Sequence, residues 1–166
     1  GTVPLASVTN LDRTLKHIGQ LMRPDQDVLF LFLTSHGTEG LVSVQFQHFA
    51  LNEITPTQLA KSLDAAGIKN RVLVISACYS GGFVSALEND DTLILTASRK
   101  NRPSFGCGSE SNATYFGRAW MIEGLNETTD FVAAFEGARS RIAAPEKAEE
   151  LKPSFPHIDI GANILP

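Results

Sequence analysis

Two stretches of the chain decide its fold: VLFLFLTSHG at residues 28–37 and VLVISACYSGG at residues 72–82. Each begins as a continuous apolar run, which is typical of a strand covered on both faces of a sheet. Each run ends in small and polar residues, so His36 and Cys78 come directly after the two predicted strands. If the strands are parallel neighbours, the imidazole and the thiol face each other at one edge of the sheet, as nucleophilic cysteine chemistry requires.

The residues between these stretches predict a helix that connects the two strands. Thr55-Pro56-Thr57-Gln58 combines a capping threonine, a proline at the first helical position and a glutamine at the third. The predicted helix turns Leu59 and Leu63 inward and ends at Gly67, a residue suited to a left-handed C-cap. A strand–helix–strand unit of this kind is right-handed, and its strands are parallel.

The remaining periodicity predicts further elements around this unit. They are a helix capped by Thr9 or Asn10 with the apolar face Leu11, Leu15, Ile18 and Met22, a half-exposed strand or hairpin arm at Leu41–Gln47, a short helix at Phe83–Leu87, a strand at Leu93–Ala97, helices at Ala113–Leu125 and Thr129–Ala143, a charged loop at Ala144–Pro153 and a short strand at His157–Ile160. This order predicts an α/β fold with a mainly parallel sheet and helices on both faces. Ligands of such sheets bind beyond the carboxyl ends of the strands, where His36, Cys78 and Ser98-Arg99 follow the predicted strands.

The composition narrows the class of protein. With 166 residues, 43% of them hydrophobic, the chain is long enough for one domain with a substantial core. A net charge of -4 without a basic cluster argues against a nucleic-acid partner or an anionic membrane surface. The longest apolar run, at residues 28–33, is far shorter than the roughly 20 residues that a membrane helix needs. The four histidines are scattered and no C-x-x-C occurs, so we predict no metal site and no cofactor.

The residues alone leave both a catalytic and a structural role open for His36 and Cys78. An imidazole beside a thiol can take its proton and later return a proton to a departing amine. Gly37 and the small residues after Cys78 favour free backbone N–H groups that would stabilise an oxyanion. However, a histidine after a strand is more often a structural hydrogen-bonding group. The two cysteines, Cys78 and Cys107, can equally form one disulfide or pack as small apolar side chains.

Several blocks of this sequence resemble the legumain-type cysteine peptidases of family C13. The blocks are Thr34-Ser35-His36-Gly37, Ile75–Gly82, Leu93–Ser98, Pro103–Cys107 and Tyr115–Arg118. Their order and spacing are similar to those of the family over about Val28–Trp120. Their amino acids resemble those of bacterial members more than those of animal ones. The family belongs to clan CD, with caspases and gingipains, so the resemblance implies a caspase-like fold.

The resemblance also implies a role for each matching residue. Cys78 would be the nucleophile and His36 the general acid/base, with the N–H groups of Gly37 and Cys78 as the oxyanion hole. Ser76, Ser104 and Arg118 fall on the family positions that bind the residue before the scissile bond. A peptide or protein substrate would lie as an extended strand beside the loop after Leu93–Ala97. Cys107 matches a family cysteine without a catalytic role, which favours packing.

Two pocket positions depart from the pattern of asparagine-cleaving legumains. Those enzymes carry glutamate where this chain has Ser76, and aspartate where it has Arg118. We therefore predict that the pocket does not select asparagine as legumains do, and that it accepts aspartate or a small polar residue. The alternative for Arg118 is a solvated position on a helix face.

The family standard is a six-stranded sheet whose first parallel strand precedes the helix at Leu11. We therefore expect residues 1–166 to be a single peptidase domain that is incomplete at its N-terminus, with a homodimer through the exposed sheet edge as a further expectation. For the full protein, periplasmic, secreted, membrane-associated and cytoplasmic locations all remain open.

Other functions also remain open. The same dyad can support transamidation or ligation, in which an amine resolves the acyl-enzyme, and the same fold can serve as a catalytically silent peptide-binding module. An α/β-hydrolase with a cysteine nucleophile is disfavoured. In that fold the nucleophile lies on a sharp strand-to-helix turn between two glycines, and residues 76–80 lack both of them. His36 also precedes Cys78, whereas the histidine of such hydrolases follows the nucleophile.

Overall fold

The computed structural model describes residues 4–46, 48–49, 51–108 and 111–164. Its strands are β1 Leu29–Thr34, β2 Gly37–Thr38, β3 Leu41–Val42, β4 Arg71–Ser76, β5 Thr92–Thr96 and β6 His157–Ile160. Its helices are α1 Val8–Leu21, α2 Pro56–Ala65, α3 Val84–Leu87, α4 Leu125–Glu127 and α5 Phe131–Ala148, with a short 3₁₀ turn at Ser80–Phe83 and a π-helical segment at Gly117–Gly124.

The main sheet confirms the predicted α/β architecture. Its strand order is β1-β4-β5-β6, in which the first three strands are parallel and β6 is antiparallel to β5. Helix α2 connects β1 to β4, so the predicted crossover unit is present. Strands β2 and β3 form a separate antiparallel hairpin directly after β1. The predicted arm at Leu41–Gln47 is thus a strand only at Leu41–Val42, and Gln47 lies outside the described residues.

Local signals place the ends of two helices. The Thr55 side chain accepts a hydrogen bond from the backbone N–H of Gln58, which confirms the predicted start of α2. Gly67 follows this helix with a φ of 67°, as the predicted left-handed cap requires. The expected cap of α1 at Thr9 or Asn10 is wrong, because the Ser7 hydroxyl accepts the bond from the N–H of Asn10 and the helix begins earlier.

The charged loop predicted at Ala144–Pro153 is partly wrong, since α5 continues to Ala148 and contains Pro145. Burial of Ile142 and Glu146 on the inner side of the helix outweighs the backbone bond that the proline lacks. The Glu146 carboxylate also accepts a hydrogen bond from the N–H of Ser154, which ties the following segment back to α5.

Two apolar clusters lie on opposite faces of the sheet. One is built from α1, α2 and α3 and contains Leu15, Leu59, Leu63, Leu73, Ile75 and Ile94. The other is built from the π-helical segment and α5 and contains Val74, Leu95, Phe116, Trp120, Phe135 and Ala138. Strands β4 and β5 are buried at every position, because both faces of the sheet are covered there.

Strand β1 differs from this pattern because it lies at the edge of the sheet. Its Phe30 side chain is 43% exposed, so the prediction that β1 is covered on both faces is wrong. Dimerisation through this edge stays a prediction. Within the described part of the chain, no helix has both the length and the apolar character needed to cross a membrane.

Candidate active site

The register of strands β1 and β4 brings His36 and Cys78 to equivalent positions. Thr34 of β1 pairs with Ser76 of β4, and each candidate residue lies two positions beyond its member of this pair. The N–H of Ser35 donates to the carbonyl of Ser76 over 3.3 Å, which holds the two chains together past the end of the strands. The predicted meeting of the two segments at one edge of the sheet is therefore observed.

Gly37 determines how closely these two segments approach. A Cβ atom at this position would lie 2.5 Å from the Cys78 carbonyl oxygen and 3.2 Å from the Ala77 Cβ. Only a residue without a side chain fits against the backbone of Cys78 in this way. Gly37 also pairs with Val42 in the β2–β3 hairpin, so the hairpin fixes the direction in which the chain leaves His36. His36 itself is exposed at the surface, whereas Cys78 is half-buried.

The thiol of Cys78 lies against Ser104. The backbone N–H of Ser104 donates to the Cys78 Sγ over 3.2 Å, and the serine Oγ lies 3.7 Å from the same sulfur. In its protonated form the thiol can donate to the Ser104 carbonyl, also at 3.2 Å. Ser104 therefore contacts the sulfur through its backbone N–H, its carbonyl and its hydroxyl.

The turn after Cys78 engages most of its own N–H groups. Tyr79 adopts a left-handed φ of 59° and donates to the carbonyl of Arg102 over 2.8 Å. Gly81 donates to Ser98 over 2.8 Å, and Gly82 donates to Tyr79 over 3.0 Å. The expectation of free donors after Cys78 is therefore wrong for these three residues. The N–H of Cys78 forms no backbone hydrogen bond within the described residues, which leaves it as a candidate donor to an oxyanion.

Two buried serines join the loops that follow β4 and β5. The Ser80 hydroxyl accepts a hydrogen bond from the N–H of Ser98 over 3.2 Å, and the Ser98 hydroxyl donates to the carbonyl of Ala77 over 3.3 Å. Both side chains are fully buried, so these bonds are protected from competition by solvent. The backbone on either side of Cys78 is consequently fixed to the end of β5.

The predicted pocket residues separate into two groups. Ser76 is only 1% exposed, and its hydroxyl lies 3.1 Å from the Thr114 Oγ1, underneath the Cys78 turn. Ser104 contacts the thiol directly, as described above. Arg118 is exposed and lines a cavity with Glu123 and Arg141, and neither Cys78 nor Ser104 is among the described residues that line it. The structure thus brings Ser104 to the Cys78 thiol, buries Ser76 against Thr114 and leaves Arg118 exposed on the π-helical segment.

Both cysteines are free thiols, so the two do not form a disulfide. Cys107 is exposed, which contradicts the expectation that it packs in the interior. The described residues contain no cluster of three or more His, Cys, Asp or Glu side chains that could hold a metal ion.

The sequence did not single out Thr114 and Arg102 as parts of this site. The Thr114 hydroxyl lies within hydrogen-bond distance of the Ser76 hydroxyl, and the Arg102 carbonyl accepts the Tyr79 N–H. In both pairs the two residues are far apart in the sequence. For Thr114, its place directly before the block Tyr115–Arg118 was an available signal. For Arg102, the bond comes from a backbone carbonyl, which any residue type supplies.

Comparison with known proteins agrees with this architecture. The crystal structure of caspase-1 from Spodoptera frugiperda superposes with a TM-score of 0.66 at 17% sequence identity, covering 96% of this chain and 70% of that one. The fold is therefore caspase-like. The model of the Peptidase C13 family matches residues 10–164, and the chain belongs to this legumain-like family of cysteine peptidases. No curated protein sequence matches the chain.

Proposed function

We propose that this protein is a cysteine endopeptidase in which Cys78 is the nucleophile and His36 is the general acid/base. The observation that carries the proposal is the matched offset of the two residues beyond the Thr34–Ser76 pair, with Gly37 in contact with the Cys78 backbone. Membership of a cysteine peptidase family supports the same assignment. The Ser104 N–H places a hydrogen-bond donor at the sulfur.

The reaction follows from these roles. The Cys78 thiol transfers its proton to the His36 imidazole, and the thiolate attacks the carbonyl carbon of the scissile amide. The C–N bond breaks as the imidazolium donates a proton to the leaving amine, and a thioester remains. Water then attacks the thioester while His36 accepts its proton. The C–S bond breaks, the carboxylic acid leaves and the dyad returns to its starting protonation state.

We assign the oxyanion of each tetrahedral intermediate to the N–H groups of Gly37 and Cys78. The contact of Gly37 with the Cys78 carbonyl brings these backbone segments together. Preorganised donors of this kind contribute a large part of the rate enhancement in acyl transfer, about 10²–10³-fold for one donor.

We propose that the substrate binds as an extended strand along residues 102–107, which belong to no helix or strand. Ser104 is the part of this segment that contacts the nucleophile. We assign Ser76, Ser104 and Arg118 to the pocket for the residue before the scissile bond, in which aspartate or a small polar residue replaces asparagine. For Arg118 this requires that its side chain leave the outer cavity when substrate binds. A peptide library that is cleaved only after asparagine would contradict this specificity.

Labelling with a peptidyl electrophile tests the dyad. The unmodified chain should react far faster than a free thiol, and Cys78→Ala should abolish the labelling. His36→Ala should slow it by a factor of about 10²–10⁴, the usual contribution of a general acid/base. Cys107→Ala removes the other thiol, which is exposed, and is the matched control, since Cys78 should still be labelled far faster than a free thiol. Equal labelling of Cys78 and Cys107 at the rate of a free thiol would refute the proposal.

The same preparation distinguishes hydrolysis from the alternatives. If an added amine appears in the product, the acyl-enzyme is resolved by transamidation. If a peptide binds without cleavage and without labelling of Cys78, the protein is a silent binding module.

A further inference from the structure

Phe155 adopts a backbone conformation that is unfavourable on two counts. Its φ of 52° lies in the left-handed region, where a bulky side chain is an outlier. It also precedes Pro156, and a residue before proline is pushed towards extended conformations. Such conformations persist only where surrounding contacts hold them, so the contacts of Phe155 identify what this strain maintains.

The Phe155 ring lies beside two arginines of the loop that follows β5, and Phe155 also lines a cavity with Ile142 of helix α5. The Arg99 guanidinium carbon lies 4.8 Å from the centre of the Phe155 ring, and that of Arg102 lies 5.6 Å from it. Both distances are within the range of a cation–π interaction. Neither guanidinium forms an ion pair within the described part of the chain, so the ring is the recorded partner of both charges. Phe155 is 40% exposed, and its ring therefore closes over the loop from the outside.

The backbone beneath the ring is anchored to the core. The Arg99 N–H donates to the carbonyl of Ser154 over 3.0 Å, and the Ser154 N–H donates to the Glu146 carboxylate over 3.0 Å. Ser154 and Glu146 are both almost completely buried. The start of the 99–104 loop is thus fixed, through Ser154, to helix α5.

At its other end, the loop of residues 99–104 contacts the segment that carries Cys78, the proposed nucleophile. The carbonyl of Arg102 accepts the N–H of Tyr79, the residue after Cys78, and the N–H of Ser104 donates to the Cys78 Sγ. Residues 99–104 therefore join the Phe155 ring to both sides of the reacting sulfur. Displacing this loop would remove the hydrogen bond from the Ser104 N–H to the sulfur.

We propose that Phe155 is a positioning residue that holds the loop of residues 99–104 against Cys78. Through the two arginines it maintains the Ser104 N–H at the sulfur and the Arg102 carbonyl at the Cys78 turn. Its effect on catalysis rests on the proposed peptidase function, whereas its effect on the loop does not.

The variants that test this separate the ring from the backbone. Phe155→Asn removes the ring while a left-handed backbone is retained, because asparagine is enriched in that region. Phe155→Tyr keeps the ring, and its added hydroxyl can point to solvent. Arg102→Gln removes one cation. Arg23→Gln is the matched control, since Arg23 pairs with Asp27 at 2.7 Å and lies outside the cavity that Phe155 lines.

The first measurement is backbone amide hydrogen exchange by NMR, which does not depend on activity. We expect the Tyr79 and Ser104 amides to exchange about two- to fivefold faster in Arg102→Gln, and at least as much faster in Phe155→Asn, which loses both cation–π contacts. Phe155→Tyr and Arg23→Gln should match the unmodified chain. Unchanged exchange at these two amides, or equally faster exchange throughout the chain, would overturn the proposal.

The second measurement is the rate of Cys78 alkylation by iodoacetamide over a range of pH, in a Cys107→Ala background. Movement of Ser104 away from the sulfur should change this rate in Phe155→Asn, and Phe155→Tyr should restore it. If Phe155→Asn labels as the unmodified chain does across the pH range, the positioning role is wrong. If the exchange result holds but the unmodified chain neither labels with the peptidyl electrophile nor cleaves peptides, the peptidase proposal fails and the loop assignment stands.

Discussion

Replacing Gly37 with alanine adds one methyl group at the contact between the segments that carry His36 and Cys78. The new Cβ would lie 2.5 Å from the Cys78 carbonyl oxygen and 3.2 Å from the Leu41 carbonyl oxygen. Both neighbours are backbone atoms, so no side chain can rotate away to make room. The segment that carries His36 and the segment that carries Cys78 must therefore move apart.

The size of this movement follows from the contact. Real Cβ contacts are essentially never shorter than 3.0 Å, so a shift of about 0.5 Å is the minimum. A misplacement of about 1 Å at a catalytic site costs on the order of 100-fold in rate, so we expect a loss of at least about tenfold in kcat/KM. Overpacking of this kind also lowers the free energy of unfolding by about 1–3 kcal/mol. The folded state should persist while activity falls.

The assay combines cleavage of a peptide substrate with thermal unfolding of the same preparation. Gly82→Ala is the matched control, because its added Cβ would meet only the Lys100 Cβ at 3.9 Å, an ordinary contact. It lies four residues after Cys78 and carries the same chemical change. Gly82→Ala should therefore retain both the activity and the melting temperature of the unmodified chain.

Two results would refute this reasoning. If Gly37→Ala cleaves substrate at the rate of the unmodified chain, the close approach of the two segments does not govern catalysis. If Gly82→Ala loses activity to the same extent, the loss comes from adding a methyl group anywhere near the cleft.

Three further predictions concern stability and pH. Thr55→Ala should lower the free energy of unfolding by about 1 kcal/mol in denaturant titration, because the N–H of Gln58 loses its cap. Asp130→Ala should cost about 1–2 kcal/mol in the same measurement, since its carboxylate accepts two N–H groups at the start of α5. The side-chain hydrogen bond from Arg23 lowers the pKa of Asp27 to about 2, so this pair stabilises the fold above the ordinary value of 3.8 and its contribution disappears as the pH falls through 2. NMR titration of Arg23→Gln should show the Asp27 pKa returning towards 3.8, and the difference in melting temperature from the unmodified chain should be smaller at pH 2 than at pH 7.

The elements that the sequence predicted best are those with strong local signals. The cap at Thr55, the end of α2 at Gly67 and the apolar runs of β4 and β5 all depend on residues close together in the chain. The errors occurred where tertiary contacts override such signals. Pro145 lies inside α5 because buried neighbours hold the helix there, and β1 is half-exposed because of its place at the sheet edge.

The candidate site divides in the same way. The sequence identified His36, Gly37 and Cys78, because each follows an apolar strand and belongs to a recognisable family block. For Arg118 it offered an exposed position on a helix face as one alternative, and Arg118 is exposed in the structure. It did not predict that Ser104 lies at the sulfur or that Phe155 lies over two arginines. These relations join residues from different loops, and nothing local to either loop encodes the distance between them.

The sequence by itself determined that two parallel strands end in a histidine and a cysteine, since hydrophobic patterning and the crossover rule act along the chain. Only the tertiary structure decided how the surroundings of the sulfur are built. Strand register sets the equal offset of His36 and Cys78, and Gly37 sets how closely their segments approach. The loop of residues 99–104 supplies the donor to the thiol through contacts that form only when helix α5 and strand β5 pack together.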